Sequence, residues 1–180
     1  MKRQKLSAGK KLLVLFLSIF LVFATINLVW LFGIELRYNK YCNKLEKTEI
    51  LGSVSYQKII GDYIYSVNKP KYMDFTGYLT VGDKNGSFIT VDADGEIIDD
   101  SGLYIELNII PNVLGQYRYR LWFYDEANGL DAFIFIDDNF NYIPSERATE
   151  EMKAATSKLV EDNLNEIKSL RNSAEALWDL

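Results

Sequence analysis

The chain has 180 residues, 20 of them basic and 25 acidic, with no histidine and one cysteine. Those counts exclude Ser-His-Asp and Cys-His nucleophilic sites, His- or Cys-based zinc sites and any internal disulfide. Twelve Tyr and ten Phe make it too rich in large apolar groups for a disordered tail.

Lys2, Arg3, Lys5, Lys10 and Lys11 form a basic tail over residues 1–11, with no acid among them. Leu12 to Phe32 follows, 21 residues without a charge. At about 1.5 Å of rise per residue such a helix is roughly 32 Å long, enough for a hydrocarbon core of about 30 Å. The run is too long for a secretory signal, whose apolar region covers roughly 7–15 residues, and no Ala-x-Ala step comes after it. Cys42 follows Asn39, Lys40 and Tyr41 rather than small apolar residues, so it does not mark a lipoprotein. The pattern predicts an uncleaved signal-anchor over 12–33, a single-pass cell-membrane protein with a cytoplasmic N-terminus and an extracytoplasmic C-terminal domain. Trp30, Phe32, Tyr38 and Tyr41 read as an aromatic belt at the outer interface. Ser18, Thr25 and Asn27 are the polar groups of the span; Ser and Thr read as bonding back to their own helix, and Asn27 as reaching towards the outer headgroups.

Beyond the anchor, 15 basic residues face 25 acidic ones once the five of the tail are set aside. No basic patch is left to attract phosphates, so nucleic acid is not an expected partner. Ile34, Tyr38, Tyr41 and Leu45 recur at helical spacing and predict a stalk helix and linker over 34–52, its charges on a solvated face. Cys42 reads as a free thiol, although two parallel anchors would bring it close to its counterpart in a second copy.

Residues 53–144 carry strand patterns. Tyr63 to Val67, Phe75 to Val81 and Ser87 to Val91 are short β-rich runs, and Asn85-Gly86 is a hairpin signal because both residues tolerate positive φ. Leu103, Ile105, Leu107 and Ile109 alternate with Tyr104, Glu106 and Asn108; Gln116 to Tyr124 alternates likewise after a turn at Pro111 to Gly115. Pairing of those two strands would set Glu106 opposite Arg118 or Arg120. Ala132 to Ile136 follows Asn128-Gly129. Phe88–Ile98 and Phe133–Ile143 echo one another, and both read as hairpins turned by Asp and Asn.

Pro144-Ser145 opens a C-terminal amphipathic helix over 145–180, with Ser145 or Thr149 as cap and no Gly or Pro to interrupt it. At more than about 45 Å it exceeds what a domain of this size needs. Leu159, Ile167, Leu170, Ala174, Leu177 and Trp178 are therefore candidate interaction residues, on the domain itself or on a partner.

Together these elements predict a membrane-anchored α+β chain: a transmembrane helix, an antiparallel β-meander closed as a sheet or small barrel, and a long C-terminal helix. Strands followed by a terminal helix resemble the general plan of lipocalin-type barrels in architecture alone, since none of their motifs is present. Asp92, Asp94, Glu96, Asp99 and Asp100 are a candidate Ca²⁺ ligand set, against which stand the missing EF-hand register and the hairpin signal of Asp94-Gly95. No other cofactor is expected. The leading expectation is a non-enzymatic subunit or scaffold of a membrane or envelope complex, with a protein partner or a second copy bound. A ligand-binding sensor or carrier lined by Tyr63, Tyr65, Tyr104, Tyr117, Tyr119 and Trp122 is the alternative. A hydrolase using carboxylates alone is the third reading.

Overall fold

The protein is described from a computed structural model, which covers residues 8–50, 53–84 and 103–180. Asn85-Gly86, the run Ser87 to Val91 and the first of the two echoed hairpins lie outside the described residues.

Helix α1 (Ala8–Trp30), a π-helical turn (Leu31–Glu35) and helix α2 (Leu36–Cys42) form one continuous rod. It is long and apolar enough to cross a membrane. Ser18, Thr25 and Asn27 each donate to the carbonyl four residues earlier, at 2.8 Å, so Asn27 bonds back to its own helix as Ser18 and Thr25 do. In the π turn the Leu36 N–H reaches back to the Leu31 carbonyl, one residue further than an α-helix would.

Beyond that turn the rod is not a solvated stalk. Ile34, Tyr38, Tyr41 and Cys42 are buried in the hydrophobic core, and Trp30 joins them. The expected aromatic belt is therefore corrected at Tyr38 and Tyr41, whose rings pack edge to face, 5.8 Å between centroids, inside the domain. An amphipathic Tyr suits a membrane interface and a protein interior equally well, and here the sheet supplies the apolar side. Burial also closes Cys42 to pairing with a second copy.

The helix ends at Cys42, short of the predicted stalk, and the chain turns at once into the sheet. Strands β1 (Glu46–Ile50), β2 (Ser53–Ile60), β3 (Tyr63–Asn68), β4 (Tyr78–Asp83), β5 (Tyr104–Pro111), β6 (Tyr117–Asp125) and β7 (Leu130–Ile136) follow. All are antiparallel and ordered β1 to β7 as in the sequence, an open meander with β1 and β7 at its edges. Strand β1 was read as linker because Glu46-Lys-Thr-Glu lacks an apolar alternation, as suits a charged edge strand. Gly82 sits within β4. A Cβ there would lie 2.4 Å from the Tyr104 hydroxyl, so the glycine makes room for that side chain.

One face of the sheet presents Val67, Leu79, Val81, Ile105, Leu107, Ile109, Leu121 and Phe123 to the helices. Helix α2 lies against β3, and α4 (Leu164–Trp178) crosses β4 and β5. Helix α3 (Glu150–Asp162) is capped by Thr149, whose hydroxyl accepts from the Met152 N–H at 3.2 Å. The predicted single helix is thus corrected twice. Of the two predicted caps Thr149 is the one used, so the helix begins at Glu150 rather than at Ser145, and it breaks at Asn163, whose side-chain amide donates to the Leu159 carbonyl at 2.8 Å. Such a local bond lets Asn interrupt a helix without Gly or Pro.

Two loops strap the rod to the sheet. From the β3–β4 connection, the Asp74 carbonyl accepts from the Trp30 indole at 3.0 Å, and the Tyr72 hydroxyl donates to the Asn27 side chain at 2.5 Å. Lys69 pairs with Glu35 at 2.6 Å and also donates to Asn39 at 2.8 Å. Gly77 lets this loop close over the rod, for a Cβ there would lie 2.6 Å from Pro70 and 2.7 Å from the Tyr38 ring. From the β5–β6 turn, the Asn112 carbonyl accepts from the Arg37 guanidinium, and Val113 lies against Gly33. At the far end Lys44 donates to the Leu177 carbonyl at 2.6 Å.

Candidate functional site

The helices cover one face of the sheet; the other carries a groove. Strand residues alternate between faces, so the partners of the core positions point the opposite way. On β4 these are Tyr78 and Thr80, on β5 Tyr104, Glu106 and Asn108, on β6 Arg120 and Trp122, and on β7 Phe133. Together with Val54, Ser55, Ser66 and Asn68, most of them line an open groove of about 540 Å³ that runs from β2 to β7.

Its floor is a chain of polar groups. The Arg120 Nη2 donates to Asn108 Oδ1 at 3.1 Å, Asn108 Nδ2 donates to Glu106 Oε1 at 2.8 Å, and the Tyr104 hydroxyl donates to Glu106 Oε2 at 3.1 Å. Asn108 is 1 % exposed and Thr80 is buried beside it. The register places Asn108 opposite Arg120 and Glu106 opposite Trp122. Glu106 therefore meets Arg120 on the diagonal and through Asn108, not directly across the strands as the sequence predicted.

The walls are aromatic. Phe133 stacks on Trp122, with centroids 5.7 Å apart and planes within 12°. The Arg120 guanidinium lies 4.9 Å from the centre of the Phe133 ring and 5.7 Å from that of Tyr78. Trp122 is held in turn by a bond from its indole N–H to Asp131 at 2.8 Å. Arg120 is thus fixed as a planar cation between rings, and its Nε has no hydrogen-bond partner among the described residues. Such a fork is suited to a carboxylate, or to the face of another aromatic group.

Burial pushes the Glu106 carboxyl above its ordinary value of 4.5, against the bonds from Asn108 and Tyr104 and the charge of Arg120, which favour ionisation. Burial and the charge of Asp83 push Glu166 upwards as well. An acid raised in this way holds its proton more tightly in the folded state. Its stabilisation is complete below about pH 4.5 and is lost as the pH rises through the folded value. Asp125 and Asp137 run the other way, held low by hydrogen bonds from Asn128 and Asn141, so their contribution is lost in acid. Stability is expected to peak in mildly acidic solution. Glu106→Gln is expected to flatten the decline that sets in above about pH 4.5 while leaving the acid limb unchanged. Urea midpoints of the full-length protein in detergent across that range test this; an unaltered slope would contradict it.

The six aromatics expected to line a pocket divide between the two faces. Tyr65 and Tyr119 are buried on the helix side, and Tyr63 and Tyr117 pack at the border of that core. Trp122 lines the groove, and Tyr104 reaches it through Glu106. Of the candidate interaction residues, Ile167, Leu170, Ala174 and Trp178 are buried against the domain's own sheet, with Leu159 and Leu177 packed at their margin. Asp92, Asp94, Glu96, Asp99 and Asp100 lie outside the described residues. Sequence reasoning passed over Asn108, Thr80, Tyr78 and Phe133. The available signal was a pair of small polar residues, Thr80 and Asn108, at the centre of strands that are otherwise apolar or aromatic. Compared with models of known protein families, with curated proteins and with solved structures, the chain matches none.

Proposed function

We propose that the protein is a single-pass membrane protein whose extracytoplasmic β domain binds another protein through the groove on its uncovered face. The basic tail, the charge-free span and the acidic remainder support that topology. The observation that carries the binding reading is the Arg120–Phe133–Trp122 stack, with Phe133 59 % exposed above buried polar groups. Arginine and aromatics are the residues most enriched at the energetic centres of interfaces, where a partner side chain fills a desolvated hollow. The groove is open along the sheet, which suits an extended segment offering an apolar side chain beside a carboxylate. The role that follows is a scaffold or interaction subunit of a membrane or envelope complex.

A photo-crosslinking amino acid placed at Phe133 in cells tests this. One discrete adduct is expected, absent from a probe at Lys158 on α3 and lost when Arg120→Ala is added. No adduct, or the same adducts from both positions, would count against the reading. A small acidic ligand is the second reading, favoured by the Arg120 guanidinium that lines the groove and by a volume within the range of about 300–1,000 Å³ usual for ligand sites.

A further inference from the structure

The loops that strap the rod to the sheet leave large apolar side chains exposed. Leu114 is 82 % exposed and Val113 38 % at the tip of the β5–β6 turn; Tyr72 is 62 % and Phe75 42 % exposed in the β3–β4 loop. Neither loop is free to place these groups elsewhere, because Tyr72 is bonded to Asn27, Asp74 to Trp30, and Val113 rests on Gly33. Their height is therefore fixed by the rod.

That height can be reckoned from the sequence. Counting about 1.5 Å per residue from Leu12, Asn27 stands roughly 22 Å along the rod and Phe32 roughly 30 Å, the thickness of a hydrocarbon core. Tyr72 and its neighbours accordingly sit at, or several ångströms within, the outer boundary of the span. Amphipathic elements that rest on bilayers bury their apolar faces about 5–10 Å, the same range. The Asp74 carboxylate, exposed in the same loop, accepts from the Thr76 N–H at 2.8 Å and hydroxyl at 2.6 Å.

We infer that the β3–β4 loop and the β5–β6 turn are a lipid-seated foot: Tyr72, Phe75, Val113 and Leu114 enter the outer leaflet and hold the β domain against the membrane. The occupant of this apolar surface is the bilayer that receives the rod, and the inference rests on the membrane topology proposed above. The foot does the work the sequence had given to Tyr38 and Tyr41.

The test uses the full-length protein in phosphatidylcholine–phosphatidylglycerol vesicles, with an environment-sensitive fluorophore on Leu114→Cys or Tyr72→Cys; the native Cys42 is buried. Labels at Phe20→Cys and Lys158→Cys serve as membrane and solvent references. Quenching of the Leu114 and Tyr72 labels by chain-labelled lipid is expected to match, within about twofold, that of a label at Phe32→Cys at similar depth. The Lys158 label is expected to respond only to aqueous iodide. If Leu114 and Tyr72 behave like Lys158 while Phe20 is quenched by lipid, the foot is refuted and the anchor stands. Should Phe20 also escape the lipid quencher, anchor and foot fall together.

Discussion

A chain shortened to begin at Asn43 is expected not to fold, although it retains every strand and both C-terminal helices. It would lose Ile34, Tyr38, Tyr41 and Cys42, four side chains at most 3 % exposed. Burying a large side chain contributes about 1.5–3 kcal/mol, so the group is worth roughly 6–12 kcal/mol. A domain's whole margin is about 5–15 kcal/mol, and the larger part of it would vanish. A chain beginning at Val29 keeps these residues and Trp30, and is expected to unfold cooperatively in urea. Circular dichroism and proteolysis of the two chains make the comparison. Equal midpoints would mean that the rod's outer end is not core.

Trp178→Ala carries the second large expected effect, at the opposite terminus. The indole is fully buried at the end of α4 and meets the Tyr65 ring edge to face at 5.7 Å. Truncating a buried Trp to Ala costs about 3–5 kcal/mol, because the cavity left behind does not collapse. Trp178→Phe should cost much less. It keeps an aromatic partner for Tyr65 and removes an indole N–H that has no hydrogen-bond acceptor among the described residues. Urea midpoints of the full-length protein in detergent separate the cases; an alanine variant within about 1 kcal/mol of the parent would remove Trp178 from the core.

Much of this architecture was legible, and the misreadings have physical causes. The alternation in Leu103 to Ile109 and Gln116 to Tyr124 gave two central strands, since a half-buried antiparallel strand must alternate. The stripe Ile34, Tyr38, Tyr41, Leu45 was legible as helix, but a stripe says only that one side is covered. Whether lipid, water or sheet lies against it depends on contacts between Tyr38 and Gly77, 39 positions apart in the chain. Strand β1 escaped because charged edge strands pair through their backbone and need no apolar signature. The helix break at Asn163 escaped because helix periodicity continues on both sides of it.

The groove was the least legible part. Glu106 and Arg120 were both noticed, but their relation turns on register, which the β5–β6 turn sets. Opposite pairing of Glu106 with Trp122 leaves the acid and the guanidinium to meet through Asn108. Phe133 lies on β7, and no pattern within β6 announces that its ring will lie beneath the Arg120 guanidinium.

The rod runs 35 residues from Ala8 to Cys42, about 52 Å at helical rise, with the π-helical turn at Leu31–Glu35 as its one irregularity. With loops clamping it at Asn27, Trp30, Glu35 and Arg37, the β domain has no swivel. Under the proposed topology, a partner that turns the domain applies torque to the rod, and Lys10 and Lys11 at its other end turn with it.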